Sequence, residues 1–201
     1  KADYDKPIKL TTCTNIMLIQ DIQCGDKHAL ILTKEGHVYS WGNGDVGQLG
    51  ITKARHNESS GGSGGNSATG GISSHSQNNS ISHITSNSEM QLRLYDVNEF
   101  QAGTKITHIA CGQTHSLALT DKSFAFSWGL GMNGELSDGK CICTFTSVNG
   151  VSSNNNTQIQ KNAMFKCRTN LPQKITGING VNAIYAGYTS SFFINDKGLY
   201  G

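Results

Sequence analysis

Two glycine-rich strings have the G-x-G-x-x-G spacing of a phosphate-binding loop. They begin at Gly42 and Gly129, and each follows a stretch rich in strand-forming residues. Such a loop binds pyrophosphate when a helix begins directly after it, because the amide groups at the helix N-terminus face the anion. After Gly47 the chain continues as Gln48-Leu49-Gly50 and then as Ser/Gly-rich sequence, which cannot begin a helix. The glycines are therefore predicted to form tight connections, with a dinucleotide site as the alternative.

Two histidines could form a catalytic pair. His28 and His115 each lie three residues after a glycine, Gly25 and Gly112, and they occupy equivalent positions in two similar segments. Equivalence between repeats favours a structural histidine that is bonded to nearby backbone. No nucleophile–base pair or carboxylate dyad stands out elsewhere, so the sequence predicts no enzymatic turnover, no cofactor and no small-molecule substrate.

The cysteines could bind a metal ion or form disulfides. Cys141-x-Cys143 resembles half of a zinc site, but no C-x-x-C pair or histidine cluster completes it, so no metal is expected. Cys24 and Cys111 are repeat-equivalent, and a small buried position would explain them. The irregular cysteine spacing favours free thiols in a reducing compartment, the cytoplasm or the nucleus.

Composition limits the classes of protein that remain. The net charge of +2 is too small to indicate a nucleic-acid surface by itself. No apolar run approaches the roughly 18 residues that span a membrane. A content of 24 glycines with only 15% charged residues is typical of strands joined by tight turns, not of a helical bundle.

An internal repeat organises the chain. Residues 22–50 align with residues 109–137 without a gap, and 13 of 29 positions are identical. A third, partial copy begins at Ile184, where 6 of 15 positions match the second copy and Ser190 replaces the histidine. Residues 57–88 separate the first two copies, and 24 of these 32 residues are Ser, Gly, Asn or Thr, which predicts a disordered insert. Residues 138–161 form a second, flexible insert.

The repeat defines the expected organisation. The first repeat covers residues 1–56, the second covers residues 89–137, and a truncated third covers residues 162–201, all within one domain. In the first repeat, His28–Thr33 and Val38–Trp41 are predicted to form a hairpin that turns at Gly36. The second repeat has Ser123 at the turn, which should strain the backbone or change the turn type. Further strands are predicted at 16–19, 105–110 and 181–186.

The repeat resembles that of the regulator of chromosome condensation family. The resemblance rests on residues such as Gly25, His28 and Gly36, on the Trp41-Gly42 pair and on the Gly47–Gly50 string, and it covers about half of the chain. It implies an all-β fold, part of a seven-bladed β-propeller with long Ser/Gly/Asn-rich loop insertions, of which about two and a half repeats are present. The predicted structural positions are Gly25, His28, Gly36, Trp41, Gly42, Gly47, Gly50, Gly112, His115, Trp128, Gly129, Gly134 and Gly187. Trp41 and Trp128 are expected to anchor blade packing equally.

The resemblance also implies a function. Members of this family bind other proteins, and the founding member promotes nucleotide exchange on the small GTPase Ran and docks on chromatin. We therefore expect an intracellular protein-interaction scaffold with a protein partner and no membrane association. A guanine-nucleotide exchange factor and the propeller domain of a multidomain ubiquitin ligase are the alternatives.

Overall fold

The computed structural model describes residues 18–51, 94–98, 100, 103–139 and 167–201. They form three antiparallel sheets without a helix, which confirms the all-β propeller-blade fold. Blade 1 consists of β1 (Ile19–Cys24), β2 (His28–Thr33), β3 (Val38–Gly42) and β4 (Tyr95–Val97). Blade 2 consists of β5 (Ile106–Cys111), β6 (His115–Thr120), β7 (Ala125–Leu130) and β8 (Arg168–Lys174). Blade 3 consists of β9 (Ala183–Ala186), β10 (Ser191–Asn195) and β11 (Gly198–Tyr200).

The two predicted hairpins are present and superimpose in register. In blade 1, Ala29 pairs with Trp41, and in blade 2, Ser116 pairs with Trp128. The β2 and β6 strands are buried along their whole length, as their apolar and β-branched residues predict. The sequence therefore located the central strands of both blades to within two residues.

The outermost strand of each complete blade follows an insert. Strand β4 pairs with β3, and β8 pairs with β7, so residues 95–97 complete blade 1 and residues 168–174 complete blade 2. The expected boundaries at residues 89 and 162 consequently do not fall between blades. These strands escaped sequence analysis because β4 is three residues long and β8 is largely polar and contains Pro172. Proline is tolerated there because β8 is an edge strand.

Each blade packs against the next through the same repeat positions. Leu30 and Leu32 of blade 1 lie in one core cluster with Ile109, Ala118 and other residues of blade 2. One step further, the repeat equivalents Leu117 and Leu119 lie in a second cluster with Ile184 and Phe193 of blade 3. The hydrophobic core therefore lies between the sheets.

The outward faces of the first and third blades are not covered by described residues. Phe192 and Ile194 of blade 3, the equivalents of Leu117 and Leu119, are 38% and 36% exposed, against 0% and 2% for the two leucines. Ile22 of blade 1 is 48% exposed, although its equivalent Ile109 is 4% exposed. The residue types are similar, so the difference in exposure arises because no described sheet packs against the outward face of blade 1 or of blade 3.

The predicted disordered insert at 57–88 lies outside the described residues, as does 140–161 of the second insert. Strand β1 covers Ile19–Cys24, so the strand expected at 16–19 overlaps it at Ile19 alone. Leu18 is not part of a strand, and residues 16 and 17 lie outside the described residues. The disorder of both inserts stays a prediction.

The turn of the second hairpin keeps the glycine conformation without a glycine. Ser123 has φ 59°, its equivalent Gly36 has φ 89°, and each amide donates to the threonine carbonyl three residues earlier. The turn type is unchanged, so the first of the two expected alternatives, strain, applies. An L-residue in this region costs about 1–2 kcal/mol.

We expect Ser123→Gly to raise the free energy of unfolding by about 1 kcal/mol, because glycine adopts this conformation without steric cost. Urea unfolding followed by tryptophan fluorescence measures the change. Ser123→Ala is the matched control, since it retains the Cβ atom and should leave the strain in place. Equal stability of the Gly and Ala variants would show that the turn is unstrained.

Candidate functional site

A backbone carbonyl of blade 1 joins it to blade 2. The carbonyl oxygen of Gln48 accepts a hydrogen bond from Ser116 Oγ at 2.9 Å and another from Trp128 Nε1 at 3.0 Å. Trp128 is fully buried, and Gln48 is 2% exposed. The Gly47–Gly50 string positions the carbonyl, because its turn carries Gln48 across to the neighbouring sheet. A buried carbonyl with two donors is well satisfied, so this junction is rigid.

His28 extends the junction. Its Nε2 atom lies 2.9 Å from Ser116 Oγ. Because the serine hydroxyl already donates to Gln48, the histidine must donate to the serine oxygen. The expected bond to nearby backbone is thus replaced by a bond to a side chain of the next blade. Burial, followed by the charge of nearby His115, lowers the pKa of His28 to about 4.

The junction between blades 2 and 3 repeats part of this pattern. Ser191 Oγ donates to the carbonyl of Glu135, the equivalent of Gln48. Burial also lowers the pKa of His115, although the nearby Glu135 carboxylate opposes that shift. Sequence analysis missed both serines and Gln48. The available signal was that Ser116 and Ser191 recur at one repeat position.

Several predicted glycines lie where a side chain would collide. A Cβ atom on Gly25 would lie 2.4 Å from the His28 ring, and one on Gly112 would lie 2.0 Å from the His115 ring. Gly42 and Gly129 have φ of 104° and 105°, and a Cβ on either would lie 2.4 Å from a backbone oxygen of the preceding loop. Positive φ also occurs at Gly36, Gly47, Gly50 and Gly134, and Gly187 packs against Ser190 in place of a histidine ring.

The glycine-rich strings do not form a phosphate site. After Gly42 and after Gly129 the chain forms turns, and no helix follows within residues 43–51 or 131–139. The pyrophosphate geometry requires a helix N-terminus at this place. The glycines lie in turns and against the histidine rings, and His28 bonds to Ser116. His115 is buried, but neither of its ring nitrogens has a hydrogen-bond partner among the described residues, so the expected bond to nearby backbone is not present there. The structural role of these residues stays a prediction.

The cysteines differ from expectation. Cys24 is exposed, so a small buried position does not explain it, whereas Cys111 is half-buried with Sγ 3.4 Å from the Gln23 carbonyl. Burial raises the pKa of the Cys111 thiol to about 12, which makes it a poor nucleophile. Cys167 is disulfide-bonded. The expectation of free thiols is therefore wrong for Cys167.

Metal and membrane sites have no support among the described residues. No group of three His, Cys, Asp or Glu side chains there could hold an ion. Cys141 and Cys143 lie outside the described residues. Within the described ranges there is also no helix that is long and apolar enough to span a bilayer.

The loops at one end of the blades form a continuous row, which we call the loop end: residues 25–27, 43–50, 112–114, 131–139 and 187–190. The amide of Asp26 donates to the carbonyl of Gln113 at 3.3 Å, and the amide of Gln113 donates to the carbonyl of Tyr188 at 2.9 Å. Repeat-equivalent backbone positions are thereby linked from blade to blade. The row supports side chains that differ between repeats on a rigid frame.

Tyr188 is the most prominent side chain of the loop end. It is 66% exposed, and its hydroxyl accepts a hydrogen bond from Gln113 Nε2. Asp26 and Lys27 are exposed in the equivalent loop of blade 1. An aromatic side chain held in position at an exposed edge is a typical anchor for a protein partner.

Comparison with known proteins agrees with the geometry. The family model of the regulator of chromosome condensation (RCC1) repeat matches residues 19–48. The ultraviolet-B receptor UVR8 of Arabidopsis thaliana is 28% identical over 140 residues, which cover 70% of this chain and 24% of the receptor. The probable E3 ubiquitin-protein ligase HERC6 of Homo sapiens is 28% identical over 140 residues, covering 70% of this chain and 10% of the ligase.

A solved structure shows the same fold. The crystal structure of human WBSCR16 matches with a TM-score of 0.51 and 23% identity, covering 90% of this chain and 32% of that protein. The chain thus spans a quarter or less of the two curated relatives named above. The matched repeat, the repeat-equivalent glycines and the antiparallel blades together show that this chain carries repeats similar to the regulator of chromosome condensation (RCC1) repeat.

Proposed function

We propose that the chain is a protein-interaction scaffold that binds its partner through the loop end and has no catalytic turnover of its own. The observation that carries the proposal is Tyr188, an exposed tyrosine held by Gln113 on a hydrogen-bonded row of loops. Strand and turn positions recur between the blades, whereas Asp26, Gln113 and Tyr188 differ at one equivalent loop position. Variable side chains on a rigid frame suit specific recognition.

The buried polar residues support a scaffold. His28, Ser116 and Trp128 are engaged in the junction between blades, and the Cys111 thiol is held protonated at neutral pH. None of these groups is free to act on a substrate. What remains for function on the described surface is its shape and its exposed polar and aromatic side chains.

We expect Tyr188→Ala to weaken partner binding about thirtyfold, the effect of removing an aromatic hot spot. Quantitative capture of a defined partner by the immobilised chain measures the change. Tyr185→Ala is the matched control, because Tyr185 is 57% exposed but belongs to strand β9 and not to the loop end. Circular dichroism must show that both variants are folded. Equal losses for the two variants would contradict a loop-end site.

Nucleotide exchange on a Ran-type GTPase is a second, more specific candidate. Exchange needs no covalent chemistry, only a surface that binds the nucleotide-free GTPase better than the loaded form. A rigid loop end meets that requirement. Release of labelled GDP from Ran in the presence of the protein tests it. If the protein accelerates GDP release and Tyr188→Ala abolishes the acceleration, the scaffold is an exchange factor. If GDP release is not accelerated and no stable complex forms with nucleotide-free Ran, this candidate is removed.

A substrate-recruiting role in a ubiquitin ligase is a third candidate, since HERC6 is named as a probable ligase of this kind. In that case the loop end would bind the protein to be modified. If the protein has this role, it should ubiquitinate a bound partner, and this ubiquitination should require an intact loop end. Ubiquitination that persists in the Tyr188→Ala variant would exclude it.

A further inference from the structure

The hairpin turns lie at the opposite end of the blades from the loop end and form a second continuous surface, the turn end. Its charged side chains are exposed: five lysines and three carboxylates. The lysines are Lys34, Lys105, Lys122, Lys174 and Lys197, and the carboxylates are Glu35, Asp121 and Asp196.

Repeat-equivalent backbone bonds hold the turns in an arc. The turn of blade 1 joins the start of blade 2, and the turn of blade 2 joins the start of blade 3, through the same pair of positions. The bonds run from Ile106 N to Gly36 O at 3.2 Å and from Val181 N to Ser123 O at 3.1 Å. Asp121 N donates to Lys105 O at 2.8 Å within blade 2. The lysines are thus displayed at spacings that are fixed by the fold.

Two of the three carboxylates are used within the fold. Asp121 Oδ1 accepts from the Lys105 amide at 3.3 Å, and Asp196 Oδ1 accepts from Asn182 Nδ2 at 2.6 Å. All five lysines are exposed, and Lys122 Nζ also approaches the Gly103 carbonyl at 3.4 Å. These hydrogen bonds leave the carboxylates charged, but five lysines against three carboxylates give the eight side chains a net charge of +2, which favours the approach of an anion.

One lysine is held in place by an aromatic ring. Lys174 Nζ lies 3.3 Å from the centroid of the Phe124 ring, and Phe124 directly follows the strained turn residue Ser123. A cation over a ring face retains its charge while losing freedom of motion. An anionic group that binds there loses less entropy than at a free lysine.

We propose that the turn end binds an acidic, extended segment of a partner protein. This assignment rests on the proposed scaffold function but concerns a different surface from the loop end. The interleaved carboxylates favour a peptide over nucleic acid, because a nucleic acid presents closely and evenly spaced phosphates that would meet Glu35, Asp121 and Asp196. A peptide can present carboxylates opposite the lysines and neutral residues opposite the acids.

The test uses the complete 201-residue chain and a fluorescein-labelled peptide of alternating Glu and Gly, followed by fluorescence anisotropy. We expect Lys122→Glu to weaken binding about fivefold, and the addition of Lys34→Glu to weaken it further by a similar factor. Lys27→Glu is the matched control, since Lys27 is equally exposed but lies at the loop end. It should change binding less than about twofold.

Three outcomes would overturn the proposal. The chain could bind a Gln–Gly peptide as well as the acidic one, Lys27→Glu could weaken binding as much as Lys122→Glu, or a thymidine oligonucleotide of the same charge could bind more tightly and lose its affinity in the Lys122→Glu variant. Lys122→Gln separates charge from folding, because it should give an intermediate loss with an unchanged circular dichroism spectrum. Failure here leaves the Tyr188 test untouched, since that test probes the other end of the blades.

Discussion

Trp128→Ala should lower the free energy of unfolding by about 3–5 kcal/mol, the usual cost of truncating a fully buried aromatic side chain. Trp128 contributes both its volume and a hydrogen bond to the core between blades 1 and 2. Removing the indole also leaves the Gln48 carbonyl with Ser116 as its remaining side-chain donor. Phe100, whose ring centroid lies 6.0 Å from that of Trp128, would lose its aromatic neighbour as well.

Trp41, the repeat equivalent, provides the matched comparison. It is half-buried in blade 1, packed against a small cluster that contains Ile31 and Leu94. We expect Trp41→Ala to cost about 1–2 kcal/mol, because less area returns to water. Trp128→Phe separates the hydrogen bond from the volume, and urea unfolding measures all three variants. Equal costs for the two alanine variants would show that burial at the blade junction does not determine the effect.

Stability should fall as the pH is lowered from about 6.5 to about 4, and His28 is the main cause. Its pKa is about 4 in the folded chain, against an ordinary value of 6.5. In this window the unfolded chain binds a proton that the folded chain does not, so protonation favours unfolding. Protonation of His28 does not lower the free energy of unfolding above about pH 6.5, and it lowers it by about 3 kcal/mol near pH 4. His115 acts in the same direction.

Urea unfolding at a series of pH values tests this dependence. Replacing His28 with Asn should flatten the curve between those limits, although it lowers stability at neutral pH by removing the bond to Ser116. His108→Asn is the control, because His108 is exposed on strand β5. A wild-type curve that is flat between pH 6.5 and 4, or a His108 variant that flattens it as much, would contradict the role of His28.

The blade hairpins could be predicted because each signal is local. Strands β2 and β6 are marked by their apolar and β-branched residues, and Gly36 marks the turn. The repeat then places the equivalent residues of the second copy without further information. Local strand patterns alone could not separate a propeller from a sandwich or barrel; the tandem repetition favours the propeller, and the resemblance adds the family and the number of blades.

The contacts between blades could not be predicted, because they depend on residues far apart in the chain. The bond between Ser116 and Gln48 joins positions separated by 68 residues, and nothing in either segment indicates the pairing. The burial of Trp128 and the half-burial of Trp41 follow from neighbouring sheets, not from their identical local sequences. Strands β4 and β8 escaped prediction because their partners, not their composition, determine them.

The candidate binding surface, like the contacts between blades, could be identified from the structure but not from the sequence. Tyr188 occupies a loop of the weakest repeat, where no sequence pattern singles it out. Its importance follows from exposure and from Gln113 in the next blade. The assignment of the recurring glycines and histidines to packing instead of ligand binding stays a prediction, for which Gly25 and Gly112 beneath the histidine rings provide the physical argument.

Hydrogen–deuterium exchange of the chain with and without a captured partner tests the scaffold proposal most directly. Protection should increase in residues 25–27, 112–114 and 187–190, the loops that carry Asp26, Gln113 and Tyr188, and it should be lost in the Tyr188→Ala variant. The amide hydrogens of the strands that are buried where two blades meet should exchange at the same rate with and without the partner, because these strands are already shielded from solvent. Unchanged exchange in all three loops while the partner is bound would contradict binding through the loop end.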